Sequence, residues 1–436
     1  MRTIAKLAPR RTHGLHDAAE YVTAIGHLDG RPRLRLFAVA SITVSFLAAS
    51  SAPTPLYPIY QAAWEFSALT TTVVFGVYAI AFLAGLLTAG RLSDHVGRRP
   101  VLLAGIAGNV LALAIFVDAH SVAGLLAARI VQGLATGGAI SAVGAGMLDV
   151  DQTRGAVANA TAPGLGTTSG ALLSAFAIRW LPAPTQLIYV VFAGVLIVQA
   201  FVVVLLPETS PRAPGAWRSL IPQLAVPAQT RGPLLAAAPV LFAVWALAGF
   251  YGSLGPALIE HLVGSASVID AGLGIGTLAG VAALTTYVLR AVPARSVMMI
   301  GTTALIAGVA VALLSLWAGS TLCFFAGTAV AGVGFGAGFQ GGIRLVAPLA
   351  RPEQRAGVIS VLFTISYLGL GVPAVAAGFA VAKGGGLVAT SYEYGVAVIV
   401  LAALATVNLI RLRTHNHACA EGTAPLAPTS TPQPCP

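Results

Sequence analysis

Two polar side chains interrupt an apolar stretch of the chain near residue 130. Arg129 and Gln132 lie in the run 121–147, in which Arg129 is the only charged residue. A charge inside a membrane helix is costly unless it meets water or a partner. The guanidinium either extends to the membrane surface along its own apolar stem or faces an internal cavity. In a cavity it would bind a substrate or set a proton affinity, and we favour this hypothesis for Arg129 with Gln132.

A proton carrier inside a membrane is usually a carboxylate whose pKa is raised by burial. All fourteen acidic residues lie in polar connections, in the terminal segments or near the ends of apolar runs. Asp270 and Glu65 come nearest to the interior of a run, and we expect both at the membrane surface. The sequence therefore does not locate a coupling group, and Asp270 is the candidate that we carry forward.

The chain lacks the side-chain patterns of an enzyme or a metal protein. No Ser/His/Asp set or carboxylate pair has a plausible site, and the eight histidines are scattered. The cysteines Cys323, Cys419 and Cys435 show neither metal-ligand nor disulfide-framework spacing. Gly336–Gly341 spells the dinucleotide pattern G-x-G-x-x-G, but it lies inside an apolar run with no strand before it. We therefore predict no enzyme, no cofactor and no metal.

The composition indicates a membrane protein. Hydrophobic residues make up 57% of the 436 residues and charged residues 9%, against about 25% charged residues in soluble domains. The mean hydropathy is +0.86. The net charge of +10 could suggest a nucleic-acid partner, but the basic residues sit in short stretches between apolar runs, without interleaved aromatic residues. We expect a lipid bilayer, and no nucleic acid, as the partner.

Twelve apolar runs are long enough to cross a membrane, which takes about 20 residues per helix. They cover 35–58, 68–92, 100–117, 121–147, 155–178, 186–206, 232–257, 267–289, 296–317, 320–348, 356–381 and 391–411. The predicted fold class is an all-α integral membrane protein with twelve transmembrane helices in two six-helix halves. A cytoplasmic linker, 207–231, separates an N-terminal bundle, 35–206, from a C-terminal bundle, 232–411. Outside the bundles lie an N-terminal extension, 1–34, and a tail, 412–436, that we expect to be disordered.

The basic residues predict the orientation. With an even number of spans both termini lie on one side, and all but three of the 24 Lys and Arg residues then fall on that side. The exceptions are Arg129, Arg179 and Lys383. Because cytoplasmic loops carry the excess of Lys and Arg, we predict a protein of the cell (inner) membrane with both termini in the cytoplasm.

The two halves show an internal repeat. Gln132–Gly137 corresponds to Val333–Gly338 at an offset of 201 residues, which also pairs Arg154 with Arg355. Matches at an offset of 196 residues are Arg99 with Arg295, Val101 with Val297 and Gly105 with Gly301. Two parallel six-helix repeats facing each other form a midplane cavity that opens alternately to either side.

The connection after the second run carries the most specific motif. Residues 90–99 read GRLSDHVGRR and resemble the signature G-x-L-x-D-R-x-G-R-R/K of the major facilitator superfamily, with His95 where the family usually has Arg. Gly97 permits a tight turn, and Asp94 can face the positive N-terminal end of a helix. By the resemblance that helix is the eleventh, which starts near residues 355–357. The expected gating residues are Gly90, Asp94, Gly97, Arg98 and Arg99.

Two further elements extend the resemblance. Arg129 to Gly133 resembles the R-x-x-x-G element of the family's fourth helix, and the fifth run loosely resembles the Gly-Pro element of the drug:proton antiporter branch. By the resemblance the fifth and eighth helices are neighbours, and their small residues suit sliding during gating, although close packing explains them equally well. These residues are Pro163, Gly164, Gly166 and Gly170 in the fifth run and Gly272, Gly276 and Gly280 in the eighth.

With so few charges, a cavity between the halves should be apolar and aromatic. Such a cavity suits amphipathic or lipophilic organic molecules better than sugars or phosphate esters. Core packing is the alternative for each aromatic residue. The expected lining residues are Tyr57, Phe75, Tyr78, Trp245, Tyr251, Phe339, Gln340 and Tyr367.

The residues and the resemblance together imply a secondary active transporter. We expect it to move a small amphipathic organic molecule by alternating access, as a monomer, with proton-coupled efflux as the leading hypothesis. An uptake symporter of the same fold and a non-transporting membrane sensor are the alternatives. A long soluble signalling domain would favour the sensor, and the sequence contains none.

Overall fold

Twelve long helices make up most of the residues that the computed structural model describes, 31–263 and 268–421, with side chains except at 263, 268–271 and 413–421. They are α1 (Pro32–Ser51), α2 (Ala68–Ala89), α3 (Arg98–Val117), α4 (Val122–Val150), α5 (Gln152–Trp180), α6 (Pro184–Leu205), α7 (Ala228–Ser253), α8 (Val268–Val288), α9 (Ala294–Ala318), α10 (Thr321–Val346), α11 (Pro352–Ala380) and α12 (Leu387–Glu421). Short helical segments lie at Thr54–Leu56, Tyr57–Trp64, Ser93–Val96, Ala216–Ser219, Gly255–Val263, Leu289–Ala291, Ala347–Leu349 and Val381–Gly385. Most of the predicted terminal extensions falls outside the described residues.

Eleven helices in this described part are long and apolar enough to cross a membrane. The remaining long helix, α5, has 29 residues but a more polar sequence. Its length of about 43 Å exceeds the hydrocarbon core of about 30 Å, so it is long enough to span. The predicted all-α membrane fold is confirmed, with eleven helices meeting both criteria and α5 meeting the length criterion.

Side-chain caps explain where several helices begin. Ser67, Ser121 and Ser320 each accept a hydrogen bond from the backbone N–H three residues later, at the starts of α2, α4 and α10. Asp151 does the same for α5. These side chains satisfy N–H groups that lack an intrahelical partner in the first turn. Gly319, with φ +62°, ends α9 in the left-handed conformation that glycine adopts readily.

The same helix pairs pack together in each half. In the first half α1 contacts α5, α2 contacts α4, and α3 contacts α4 and α6. In the second half α7 contacts α11, α8 contacts α10, and α9 contacts α10 and α12. These pairings coincide when the helices are renumbered by six, which is the arrangement expected of the sequence repeat.

The halves meet along two helix pairs, α2 with α11 and α5 with α8. Phe82 of α2 stacks on Tyr367 of α11 with 4.3 Å between ring centroids. Near the start of α2, Gly378 of α11 lies so close to α2 that a Cβ there would be 2.0 Å from Thr72 Oγ1.

The two ends of the bundle are named by their connections. The linker end holds the α2–α3 loop and the α6–α7 connection, and the opposite end is the far end.

The seam is packed at the far end, and several residues beside it at the linker end are exposed. Thr54 Oγ1 donates to Gly252 O at 3.3 Å, which joins the halves near the far end. At the linker end the start of α11 is exposed at Glu353 and Arg355, and Asp94 of the α2–α3 loop is exposed as well. The close contacts between halves therefore lie away from the predicted gating motif.

The glycine pair of α5 packs on α1 and not on α8. A Cβ on Gly166 would lie 2.5 Å from Val44 O, and a Cβ on Gly170 would lie 2.0 Å from Ala48 O. The expectation that this pair provides the sliding contact with α8 is therefore wrong. Gly166 and Gly170 are about one turn apart and share the face of α5 that is directed into its own half. Pro163 lies inside α5 without ending it.

The glycines of α8 do pack across the seam. A Cβ on Gly272 would lie 2.5 Å from the Ala175 methyl group, and one on Gly276 or Gly280 would lie 3.2 Å from Leu172 or Thr168. Thr168 Oγ1 also donates to Gly276 O at 3.2 Å. The small residues of α8 thus bring it close to α5, as expected of neighbouring helices.

Candidate functional site

Arg129 lies in an enclosed polar cluster within the first half. Its side chain is 0% exposed, as is that of Gln132. Nε and Nη2 donate to Tyr57 Oη at 3.1 and 2.6 Å. Nη1 donates to Ser50 O at 2.7 Å and to Gln132 Oε1 at 3.0 Å. We call Ser50, Tyr57, Arg129 and Gln132 the arginine cluster.

The end of α1 is built to receive these donors. Pro53 has no backbone N–H, so the carbonyl of Ala49 four residues earlier lacks its helical partner. Gln132 Nε2 donates to this carbonyl at 3.1 Å. The helical turn at Thr54–Leu56 then places Tyr57 where its hydroxyl oxygen accepts from Arg129.

The charge of Arg129 is balanced by dipoles and aromatic faces. No carboxylate in the described part of the chain forms an ion pair with it. Its guanidinium carbon lies 5.7, 5.2 and 5.7 Å from the ring centroids of Tyr57, Tyr78 and Phe116, distances at which a cation is attracted to a ring. The alternative of a guanidinium at the membrane surface does not fit this burial. The predicted exposure to a cavity is not observed either, because the cluster encloses the side chain.

A second group of aromatic side chains lies at the seam. Trp245 of α7 contacts Tyr367 of α11 at 5.0 Å between centroids, Phe339 of α10 at 5.3 Å and Phe335 at 5.7 Å. Phe363 of α11 lies 6.4 Å from Tyr367. Tyr367 in turn stacks on Phe82 from the other half. We call Phe82, Trp245, Phe335, Phe339, Phe363 and Tyr367 the seam cluster.

Two buried polar side-chain atoms of α7 and α10 remain unpaired within the described part of the chain. Trp245 Nε1 and Gln340 Oε1 are buried and have no hydrogen-bond partner among the described residues. Gln340 Nε2 donates to Thr286 O of α8 at 3.2 Å, which fixes the amide group. An unpaired buried donor and acceptor each cost free energy, so a ligand that pairs with them gains affinity. The rings of Trp245 and Phe339 are only partly buried, which leaves them surface to offer.

The predicted lining residues divide among several places. Tyr57 and Tyr78 belong with Arg129, while Trp245, Phe339 and Tyr367 come together in the seam cluster. Gln340 contacts α8 through Thr286 O. Phe75 packs against Gly252, where a Cβ would lie 2.4 Å from the ring. Tyr251 is buried in the second half and its hydroxyl pairs with Thr328 Oγ1 at 2.6 Å. The structure therefore brings three of the eight together in the seam cluster.

The α2–α3 loop holds its arginines by side-chain contacts. Arg98 pairs with Asp94, donates from Nη1 to Ser93 Oγ at 2.7 Å and donates from Nε to Asp149 Oδ2 of α4 at 3.3 Å. The Asp94 side chain is 57% exposed. The contact of Asp94 is thus with Arg98 of its own loop, and the predicted contact with the start of α11 is not present in this conformation. Gly90 ends α2 in right-handed helical geometry.

A carboxylate from the linker caps α3. Glu208 accepts hydrogen bonds from Arg98 N at 2.7 Å and Arg99 N at 3.0 Å, and from the N–H groups of Thr209 and Ser210 at 3.0 and 3.2 Å. Burial alone would raise the pKa of this carboxyl group. The four N–H donors outweigh the burial, so the pKa of Glu208 lies below its ordinary value.

Gly97 makes this cap possible. Its φ of +101° suits glycine, and a Cβ there would lie 2.6 Å from Glu208 Oε2. Thr209 Oγ1 donates to Asp149 Oδ2 at 2.9 Å, which ties the linker to α4. The motif loop, α4 and the linker therefore form one connected structure at the linker end.

The described carboxylates offer no buried proton carrier. Each acidic side chain that the structure describes is exposed or half-buried. Glu65, with φ +51°, ends the short helix Tyr57–Trp64 and is exposed. Asp270 lies in α8, and its side chain falls outside the described residues.

Several residues of these sites were not singled out in the sequence. They are Phe82, Phe335 and Phe363 of the seam cluster, Ser50 of the arginine cluster, and Asp149 and Glu208 at the linker end. The aromatic residues gave no signal above ordinary core packing. Glu208 follows a proline directly after an apolar run, a position from which a carboxylate can reach a neighbouring helix start, and this signal could have indicated it.

Sequence comparison places the chain in a family. The model of the Major Facilitator Superfamily matches residues 39–372. Multidrug resistance protein MdtL of Klebsiella pneumoniae is 30% identical over 166 residues, which are 37% of this chain and 41% of that protein. Multidrug resistance protein D of Escherichia coli is 41% identical over 64 residues, 15% of this chain and 16% of that protein. The matched segments thus span less than half the length of these relatives.

Solved structures share the fold at low identity. The human organic anion transporter MFSD10 (TETRAN) superposes with a TM-score of 0.64 and 18% identity over 86% of this chain and 99% of that one. A mutant of the nucleoside transporter NupG superposes with a TM-score of 0.68 and 14% identity over 87% and 100%. With the family match over most of its length and the paired six-helix halves, the chain belongs to the Major Facilitator Superfamily of membrane transporters.

Proposed function

We propose that the chain is a secondary active transporter that exports small amphipathic organic molecules across the cytoplasmic membrane by alternating access, coupled to protons. The proposed class of substrate rests on the seam cluster. Six aromatic rings from α2, α7, α10 and α11 meet where the halves face each other, and the described acidic side chains lie away from them. A site of this composition suits aromatic or lipophilic molecules that carry a few polar groups.

The unpaired polar atoms of the site narrow the range of possible substrates further. A molecule that accepts a hydrogen bond from Trp245 Nε1, or donates one to Gln340 Oε1, would satisfy groups that the protein leaves unpaired. The aromatic rings around Trp245 would then cover its apolar part. This combination favours a planar amphipathic molecule over a sugar, which needs many polar partners.

The position of the close contacts between halves supports alternating access. The seam is packed at the far end, while Asp94 and the start of α11 are exposed at the linker end. If the linker end is cytoplasmic, as the basic residues predict, this arrangement faces the cytoplasm. In the opposite conformation we expect Asp94 to approach the start of α11, where the helix dipole would attract its charge.

The proposed direction of transport and coupling ion are supported by the relatives and by the fifth helix. Two relatives are named multidrug resistance proteins, and each matches only part of its length. The fifth helix resembles that of drug:proton antiporters. Uptake by symport and a sensor without transport are the competing functions. Asp270 is the proposed proton carrier, and Asp270→Asn should then abolish the dependence of transport on a pH gradient.

A dye-accumulation assay in an efflux-deficient host tests the substrate site. Cells that express the chain should accumulate less of a fluorescent amphipathic dye than cells without it. Trp245→Leu should weaken this effect, with an apparent affinity lower by about two- to tenfold, because an aromatic pair contributes about 0.5–1.5 kcal/mol. Trp317→Leu is the matched control, since Trp317 is 86% exposed on the outside of the bundle. Equal behaviour of the two variants would remove the seam cluster from the substrate site.

A further inference from the structure

An apolar groove runs along the outside of the first half, between α3 and α6. It has a volume of about 350 Å³ and is lined by Leu103, Ile106, Ala107, Val110, Ile197, Ala200, Phe201 and Val204. Ala107 and Ala200 carry only a methyl group, so the surface is hollow between the larger side chains around them. Every lining residue is apolar, and the groove is open to the side of the bundle.

The groove ends at an arginine at the linker end. Arg99 lies one helical turn before Leu103 on α3, and its Nη2 donates to the carbonyl of Val204, which lines the groove on α6. Arg99 Nε is buried and has no hydrogen-bond partner among the described residues.

The neighbouring charges leave Arg99 able to bind an anion. Asp94 and Asp149 pair with Arg98, and the carboxylate of Glu208 accepts from backbone N–H groups. No carboxylate among the described residues forms an ion pair with Arg99. Arg99 as a whole residue is half-buried, so part of its side chain lies at the surface.

We propose that the α3–α6 groove binds one anionic phospholipid, with an acyl chain along the groove and the phosphate group at Arg99. The apolar lining matches an acyl chain, and Arg99 matches the charge and the position of a headgroup at the end of that chain. A transmembrane helix of a second copy would fill the apolar groove but would leave Arg99 without an anion. The proposal does not depend on the transported substrate.

Native mass spectrometry of the full-length protein in detergent tests this site by a titration with three probes. Phosphatidylglycerol and phosphatidylcholine with the same two long acyl chains differ only in the headgroup, and dihexanoyl phosphatidylglycerol keeps the headgroup but lacks the long chains. The wild-type protein should bind long-chain phosphatidylglycerol at least about fivefold more tightly than phosphatidylcholine, the effect of one arginine near an anionic headgroup. The short-chain lipid and inorganic phosphate should not compete.

Two variants and two matched controls assign the preference to the groove. Arg99→Gln should remove the preference for the anionic headgroup. Ala200→Phe should fill the groove and therefore weaken the binding of long-chain phosphatidylglycerol and of phosphatidylcholine alike. Arg218→Gln on the exposed linker and Val198→Phe on the outer face of α6 should bind as wild type, because both residues are exposed and neither lines the groove. Thermal unfolding of each variant confirms that it is folded.

Three results would overturn the proposal. Equal binding of both long-chain lipids would mean that only general lipid contact exists. Unchanged binding in Arg99→Gln and Ala200→Phe would place the lipid elsewhere. Competition by inorganic phosphate would show an anion site without an acyl-chain site.

Discussion

Removal of the buried guanidinium of Arg129 should destabilise the first half measurably. Arg129→Ala leaves Tyr57 Oη, Ser50 O and Gln132 Oε1 without their donor. An unpartnered buried polar group costs about 1–3 kcal/mol. Part of this cost is offset, because water can enter the vacated space and because a charge no longer has to be buried. We therefore expect a loss of about 3 kcal/mol in the free energy of unfolding, near the lower limit for three acceptors.

Arg129→Lys should have an intermediate effect. Lysine keeps the charge, but a single ammonium group cannot reproduce the planar fork that donates from both Nε and Nη2 to Tyr57 Oη. We expect it to lose about 1–2 kcal/mol, the value of one or two hydrogen bonds. A guanidinium that merely reached the membrane surface would instead make Lys equivalent to Arg and Ala harmless.

Thermal unfolding of purified protein in detergent, followed by intrinsic fluorescence, measures these differences. Transport normalised to the protein in the membrane is measured alongside. Arg179→Ala is the control, because Arg179 is an exposed arginine near the end of α5. We expect the melting temperature and transport to fall in the order wild type, Lys, Ala, with Arg179→Ala at wild-type values. An Arg129→Ala protein with wild-type melting temperature and flux would refute the reasoning.

Three further predictions concern the linker end and the orientation of the chain in the membrane. Because the pKa of Glu208 is lowered, its stabilising effect is present at neutral pH and is lost as the pH falls through the lowered value. Thermal unfolding of Glu208→Gln should therefore show a deficit at pH 7 that shrinks below about pH 4, and a constant deficit would contradict the cap. Asp94→Asn should sharply lower transport with expression largely intact, as measured by flux and immunoblot, and wild-type flux would exclude a gating role. In intact cells, a cysteine at the exposed Arg218 should resist an impermeant thiol reagent while one at the exposed Lys383 reacts, and the reverse would overturn the orientation.

The membrane fold could be predicted from the sequence because each spanning helix must be apolar enough and long enough to cross the bilayer, whatever its neighbours are. Apolar runs of sufficient length identify spans without any knowledge of their neighbours. The more polar α5 was still identified as the fifth run, 155–178, because no charged residue interrupts that stretch. Prediction at this level does not require the packing partners.

The contacts within the sites depend on which face of each helix is turned towards its neighbours. The sequence alone does not determine this. Gly166 and Gly170 form a regular small-residue pair, but the pair serves α1 and not α8. Arg129 was identified as unusual from its cost in a span, whereas its enclosure depends on the Ser50 carbonyl at the end of α1 and on the Tyr57 hydroxyl group. The stacking of Phe82 on Tyr367 joins helices from different halves, and no periodicity within either helix indicates it.

The most direct test of proton-coupled export is transport by membrane vesicles of defined orientation. Inside-out vesicles carrying the chain, with an acidic interior, should accumulate a fluorescent amphipathic dye and release it when the pH gradient is collapsed. Right-side-out vesicles, with the gradient directed from outside to inside, should not accumulate the dye. Accumulation in the right-side-out vesicles alone would show uptake by symport, and no chain-dependent movement in either orientation would contradict a transport function for this dye class.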